Sequence, residues 1–317
     1  MVKKDPLSKN ITKEEALESL ERSGYLIENR IEDILINNAY IVDSNTYFPD
    51  PDTQKPREID IIAYKYEKLS DKTGIIVTCL LIECINNPQP FALIPKEQHL
   101  LDKYSKTIHG VGIPSNIYQF IEKKGKSHAV GTNLFKLKQI QENHHYNNLR
   151  TATQFCSFIR KKNESKEWMA THEDSHYNDI KKICDATKYH IDQRLDYLSK
   201  SPIPTIVNLC MFYPVLVLQG QLYDVNTKSD PISIEESPHL QLSRHSIINS
   251  NENIYTIDIM TEKNLPLFLK LLQEETQNIV SHVESITQQI KESVEYIADQ
   301  INETPSIDKK KSLLTFF

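Results

Sequence analysis

Glycine is scarce in this chain, seven among 317 residues, against a usual share of about 7%. None stands in a Gly-x-Gly-x-x-Gly or P-loop arrangement, and Gly110-Val111-Gly112 lacks the third glycine. The glycine-rich cradles for dinucleotide or nucleoside-triphosphate phosphates are thereby excluded. The five cysteines, at positions 79, 84, 156, 184 and 210, form no Cys-x-x-Cys pair and no even set, which argues against a zinc ribbon and against a disulfide framework. No apolar run approaches the roughly 20 residues that cross a bilayer, so no membrane partner is expected. The start, Met1-Val2-Lys3-Lys4-Asp5-Pro6, is basic with no apolar stretch behind it, which predicts a cytoplasmic location rather than secretion. An excess of basic charge is missing as well, since 37 Lys and Arg against 43 Asp and Glu leave a net charge of −6. Sequence-independent DNA binding is mostly phosphate neutralisation, so any nucleic-acid surface must be local.

What is present is ordinary for a soluble globular protein: 39% hydrophobic and 25% charged residues, in a length between one and two domains. Thr12-Lys13-Glu14-Glu15 fits a capping box opening a short helix that Gly24 can close. A second helix is expected over residues 26–38, with Ile27, Ile31, Ile34 and Leu35 on one stripe and Glu28 and Glu32 beside it. Strands follow at 39–42, 59–64 and 75–82, with the turn-rich residues 48–53 between the first two and Pro88 and Pro90 after the last. Residues 96–148 are polar and read as an insertion. A helix is expected over 150–162 and another over 179–198, then a strand at 211–218 forming a hairpin with 222–225. A strand at 255–260 leads into a long carboxy-terminal helix over about 262–301.

The acids sit where strands end. Asp60, in Arg57-Glu58-Ile59-Asp60, and Glu83, in Glu83-Cys84-Ile85, each abut a run rich in β-branched residues, so two carboxylates converge if the strands pair. Carboxylates held together repel unless a cation sits between them, which points to a hard divalent metal. A carboxylate directly after Leu80-Leu81-Ile82 is costly to bury without a partner. Taken alone, Asp60 also fits a strand-end residue capping a turn.

This pattern resembles the PD-(D/E)XK superfamily, the restriction-endonuclease-like nucleases, over roughly residues 12–225. The resemblance implies an α/β core, a mixed sheet flanked by helices, and hydrolysis of DNA phosphodiesters with Mg²⁺ or Mn²⁺ held by Asp60 and Glu83. Glu28, after the glycine-aromatic turn Gly24-Tyr25, matches the family's first-helix acid, with Glu32 as its competitor. Gln154-Phe155-Cys156-Ser157-Phe158 resembles the Gln-x-x-x-Tyr element of RecB-like nucleases. Defence against foreign DNA is the setting implied. Ile85 departs from the pattern, since it stands where the family's catalytic lysine belongs. Three readings of that departure stay open: a base carried elsewhere, by Arg150 or Lys96; a metal that suffices alone; or a nuclease-like module without catalysis that serves a larger assembly.

Other features fit bland readings. His172 and His176, four apart, suit a transition metal only with a third ligand; His144-His145 reads as surface, and Trp168 as the anchor of a hydrophobic cluster. Lys123, Lys126, Lys136 and Lys138, and the run Arg160-Lys161-Lys162 with Lys166, are candidates for phosphate contact or for solvated loops. The stripe Ile279, Val283, Ile286, Ile290, Val294, Ile297 on the last helix suits core packing, a homodimer or a protein partner. The expected organisation is a core over 1–225 with its insertion at about 96–148, and a β-hairpin or strand with a long helix over 226–317, either a separate domain or part of the same one.

Overall fold

The computed structural model describes residues 10–70, 74–86, 89–97, 108–123, 125–147, 150–161, 167–171, 176–200, 207–248 and 251–303. Helices α1 (Lys13–Ser23) and α2 (Tyr25–Asn37) come first. The Thr12–Glu15 capping box closes on both sides, and Gly24, at φ 95°, ends α1 in the left-handed conformation that glycine tolerates. A meander follows, β1 (Ile41–Pro49), β2 (Pro56–Lys68) and β3 (Gly74–Ile85), each antiparallel to the one before. β3 is apolar along almost its whole length and buried on both sides, the mark of a central strand. Strand β10 (Val207–Leu218) runs parallel to it from Val207 opposite Gly74 to Leu218 opposite Ile85. The right-sized crossover is α4 (Tyr177–Lys200).

The remaining strands extend the same sheet. They are β4 (Phe91–Glu97), β5 (His109–Ile113), β8 (Arg150–Arg160), β9 (Trp168–Thr171), β11 (Leu222–Asn226), β12 (Ser233–Glu236), β13 (His239–Ile248) and β14 (Asn251–Thr261). The order is β1-β2-β3-β10-β14-β13-β8-β4-β11-β12, with β5 on β10 and β9 on β8, twelve strands in all. β6 (Asn116–Lys123) and β7 (Lys126–Asn133) form a separate hairpin, and α3 (Lys138–Asn143) follows it. The chain ends in α5 (Leu265–Ser285) and α6 (Thr287–Glu303).

Two cores lie on opposite faces of the sheet. One packs α2 and α5 through Ile27, Ile31, Leu35, Phe268, Leu272 and Ile279. The other packs α4 through Ile180, Ile183 and Cys184 against Ile59, Leu81 and Ile85, and also takes in Phe91 and Phe155 from the far strands. The sheet therefore curls around α4. No helix among the described residues is long and apolar enough to cross a membrane.

Several expectations are corrected. Residues 150–160 form a strand, β8, not a helix; its buried Phe155 and Ser157 alternate with less buried neighbours, and Thr, Cys and Phe suit a pleated surface as well as a helical stripe. Residues 222–225 do not fold back on β10 but pair with β4 and β12, because the chain leaves the sheet at Gln219, whose N–H bonds to Ile85 O at 3.1 Å. The carboxy-terminal helix is two helices that break at Ile286. Much of its stripe is buried within the chain, Ile279, Val283 and Ile290 each at most 1% exposed, while Ile286 and Val294 are half-buried. Much of the expected insertion is ordered, with β5 inside the main sheet. The 225–226 boundary also falls inside one sheet, since β14 runs parallel to β10.

Candidate functional site

The β2–β3 ladder ends in register at Ile61 opposite Ile82. Beyond that pair the strands part, and the side chain of Asp60 takes the place of a ladder acceptor, its Oδ2 receiving the Cys84 N–H at 2.8 Å. Side chains alternate along β3, so Glu83 shares a face with Leu81 and Ile85, which lie in the α4-side core. The burial of Ile180, Ile183 and Cys184 in that core sets the rotation of α4, which brings Lys182 over the same spot. Its Nζ lies 3.4 Å from Asp60 Oδ1 and in direct contact with Glu83 Oε1. From the opposite face comes Glu28, in the first turn of α2. The α1–α2 junction is seated on the end of β3, where Asn86 Nδ2 donates to Glu21 O at 3.0 Å.

The charges at this spot do not balance. Burial first, and then the Asp60 charge, push Glu83 up to about 8 despite Lys182. Burial likewise raises Asp60, against Lys182 and the Cys84 N–H, and raises Glu28, which also feels Asp60 and Glu58. Burial opposes the Lys182 charge, yet Glu83 and Asp60 outweigh it and raise its pKa too. Glu83 is 5% exposed, and its Oε2 is buried with no hydrogen-bond partner. Glu83 thus keeps one buried carboxylate oxygen without a hydrogen-bond partner, beside Lys182 and two further acids that burial makes harder to ionise. Asp60, Glu83 and Glu28 offer the oxygen ligands that a hard divalent ion takes, although they are not a group whose ligand atoms all lie within 4.8 Å of one another.

Other basic groups near this edge are committed. Arg57 Nη1 pairs with Asp50 at 3.1 Å and Asp185 at 3.2 Å, and Lys181 pairs with Asp185 at 2.8 Å and Asp52 at 3.0 Å. Ile85 is 6% exposed in the apolar core. Arg150 and Gln154, expected at the site, lie on β8, separated from β3 by β10, β14 and β13. Arg150 is held by Asp224 at 2.8 and 3.0 Å, and Gln154 is exposed on the strand. Lys96 pairs across from Thr151 on the same distant strands. Glu32 contributes least to the charge felt by Glu28. Lys182 was missed because it stands about 100 residues after Glu83, in a helix with no local motif.

A second polar cluster lies between the sheet and α5. His144 and His145, read as surface, are buried there, His144 at 2% exposure. Both ring nitrogens of His145 meet carboxylates, Nδ1 to Glu275 Oε2 at 2.7 Å and Nε2 to Asp258 at 3.1 Å. Burial works against its charge, but Asp258 and Glu275 outweigh that and push it up to about 10. Burial raises Glu275, yet His144 and His145 hold it down at about 2. Asp258 is lowered by His145 and His239 in the same way against its burial. Tyr213 O–H donates to Glu275 at 2.6 Å, and Tyr146 O–H to Asp258 at 3.2 Å. The ligating atoms of His144, His145 and Glu275 lie within 4.8 Å of one another and could hold a metal. However, His144 Nδ1 accepts the Tyr146 N–H at 3.1 Å, which leaves the ring proton on Nε2, facing Glu275. A proton on His145 thus satisfies this cluster without a metal, unlike the Glu83 site. Of the other pair, His172 lies outside the described residues and His176 bonds to Asp179 at 3.1 Å. Trp168 is 54% exposed, with the Arg160 guanidinium over its ring at 5.1 Å. Compared with family models, curated proteins and solved structures, the chain matches none.

Proposed function

We propose that this chain is a divalent-metal-dependent nuclease that hydrolyses DNA phosphodiesters in the cytoplasm, in the setting of defence against foreign DNA. One observation carries the reading: Lys182 converges on Asp60 and Glu83, so the three chemical roles of the nuclease pattern meet at one point although Ile85 fills the expected lysine position. With β4 to β9 and α3 set aside as lying between β3 and α4, the order helices, three antiparallel strands, helix, then a strand parallel to the third supports a restriction-endonuclease-like core. So does the position of the acids, at the point where β2 and β3 part.

In this reading Asp60 and Glu83 hold Mg²⁺ or Mn²⁺, with Glu28 assisting, and the ion supplies charge neutralisation at the phosphate and a more acidic water. Glu83 Oε2 is the ready ligand, since no protein group competes for it. The Cys84 N–H fixes the orientation of Asp60, which keeps the two carboxylates converged before substrate arrives. Lys182 takes the part Ile85 cannot: its ammonium donates hydrogen bonds that orient the attacking water and offsets charge growing on the phosphate. Its position on a packed helix rather than a strand end leaves that role intact, because catalysis depends on where Nζ sits.

The test is incubation of the protein with plasmid and single-stranded DNA in Mg²⁺ or Mn²⁺, alongside Asp60→Ala. Cleavage that vanishes in the variant is expected. A wild-type protein that neither cuts nor gains thermal stability on metal addition would instead be a silent nuclease-like module, and the proposal would fail.

A further inference from the structure

The geometry points to single-stranded nucleic acid, held by base stacking on tyrosines, as the substrate class of the Asp60–Glu83 site; this rests on the nuclease reading. Two independent observations lead there. First, the site repels a duplex. Asp60 and Glu58 act on Glu28, Glu58 on Asp60, and Asp60 and Asp179 on Glu83, and the ammonium of Lys182 acts on all three. The described basic residues beside it, Arg57, Lys181 and Arg30, are each tied to acids, so none is offered to phosphates. A duplex brings about one negative charge per 1.7 Å of axis and a single strand about one per 3.4 Å, so the single strand pays half the repulsion along the same length.

Second, exposed aromatic rings border the acids. Tyr25 stands one helical turn before Glu28 and is 66% exposed. Tyr47 lies directly across from Glu58 in the β1–β2 ladder, is hydrogen-bonded to it, and is 63% exposed. Neutral rings bind bases whatever their sequence, because every base has a stackable face. Only unpaired bases present those faces, so stacking selects the strand that electrostatics already favours.

Binding is read by fluorescence anisotropy in Ca²⁺ with single strands and duplexes of one sequence, as DNA and as RNA, some carrying 2-aminopurine to report stacking. Product formation is read separately in Mg²⁺ and Mn²⁺. A single strand of either sugar should bind at least tenfold tighter than the duplex. Tyr25→Ala and Tyr47→Ala should each weaken it about tenfold, while Tyr25→Phe and Tyr47→Phe retain it. Equal or tighter duplex binding by the wild-type protein, or alanine variants that bind as well as wild type, overturns the inference. Duplex cutting without strand preference would leave the nuclease reading standing and this one refuted. Tyrosine-dependent single-strand binding without cutting would do the reverse.

Discussion

Replacing Glu83 by glutamine should stabilise the metal-free protein at pH 8. The substitution keeps the shape of the side chain and removes the charge. Glu83 goes from 4.5 to about 8 on folding, so between those values the native state binds more protons than the unfolded chain, and stability falls as pH rises through that window. A shift of that size corresponds to about 5 kcal/mol between protonated and ionised forms. Solvent reaches the neighbouring Asp60 and Lys182 side chains, 15% and 20% exposed, and screens part of this, so about 2 kcal/mol is expected, or about 3 °C in Tm for a chain of this length. The assay is thermal unfolding of both proteins from pH 5 to pH 8, with and without Mg²⁺. His145, raised to about 10, adds a loss of stability as pH rises above 6.5 through 10, but equally in both proteins, so the difference curve isolates Glu83. Mg²⁺ should raise the Tm of the wild type and not of Glu83→Gln, since an ion that binds only the native state stabilises by mass action. A variant less stable than wild type at pH 8 without metal, or a flat difference curve, would refute the reasoning.

Five further outcomes are expected. Lys182→Met keeps the aliphatic stem, and a gel-based cleavage assay should show a rate about 10²- to 10⁴-fold lower; Ile85→Lys alone should lower the Tm, because Ile85 is 6% exposed in an apolar core. Asp258→Asn leaves His145 and His239 without their shared carboxylate and should cost about 3–5 kcal/mol in denaturant unfolding. The stability that Glu275 contributes is complete above about 4.5 and should be lost as pH falls through about 2, followed by circular dichroism in acid. Gly110→Ala places a Cβ 2.4 Å from the Phe135 ring, an overpacking worth about 1–3 kcal/mol that a Tm measurement will register.

The parts legible in the sequence were those with short-range causes. The Thr12 capping box, the αL Gly24 and the Ile27-Ile31-Leu35 face need only local geometry, and they stand as expected. Where two periods fit the same few residues, local pattern misleads: Phe155, Phe158 and Ile159 suit a helical stripe, yet pairing with β4 and β9 makes 150–160 a strand. His144 and His145 sit in a polar stretch and look solvated, but partners far along the chain, Asp258 and Glu275, draw them inside. A buried charge is readable only from its counter-charge, which here comes from another element.

The sequence by itself determined that Asp60 and Glu83 belong to two apolar strands, that Glu28 lies in the first turn of a helix, and that no lysine follows at Ile85. Each of those follows from residue type and spacing of 2 or about 3.6. Only the tertiary structure decided that Lys182 meets Asp60 and Glu83, and that Arg150 and Gln154 belong to another part of the sheet. The physical reason is that a site needs its charged atoms within a few ångströms in space. The packing of α4 against the sheet sets that distance, and no spacing along the chain encodes it.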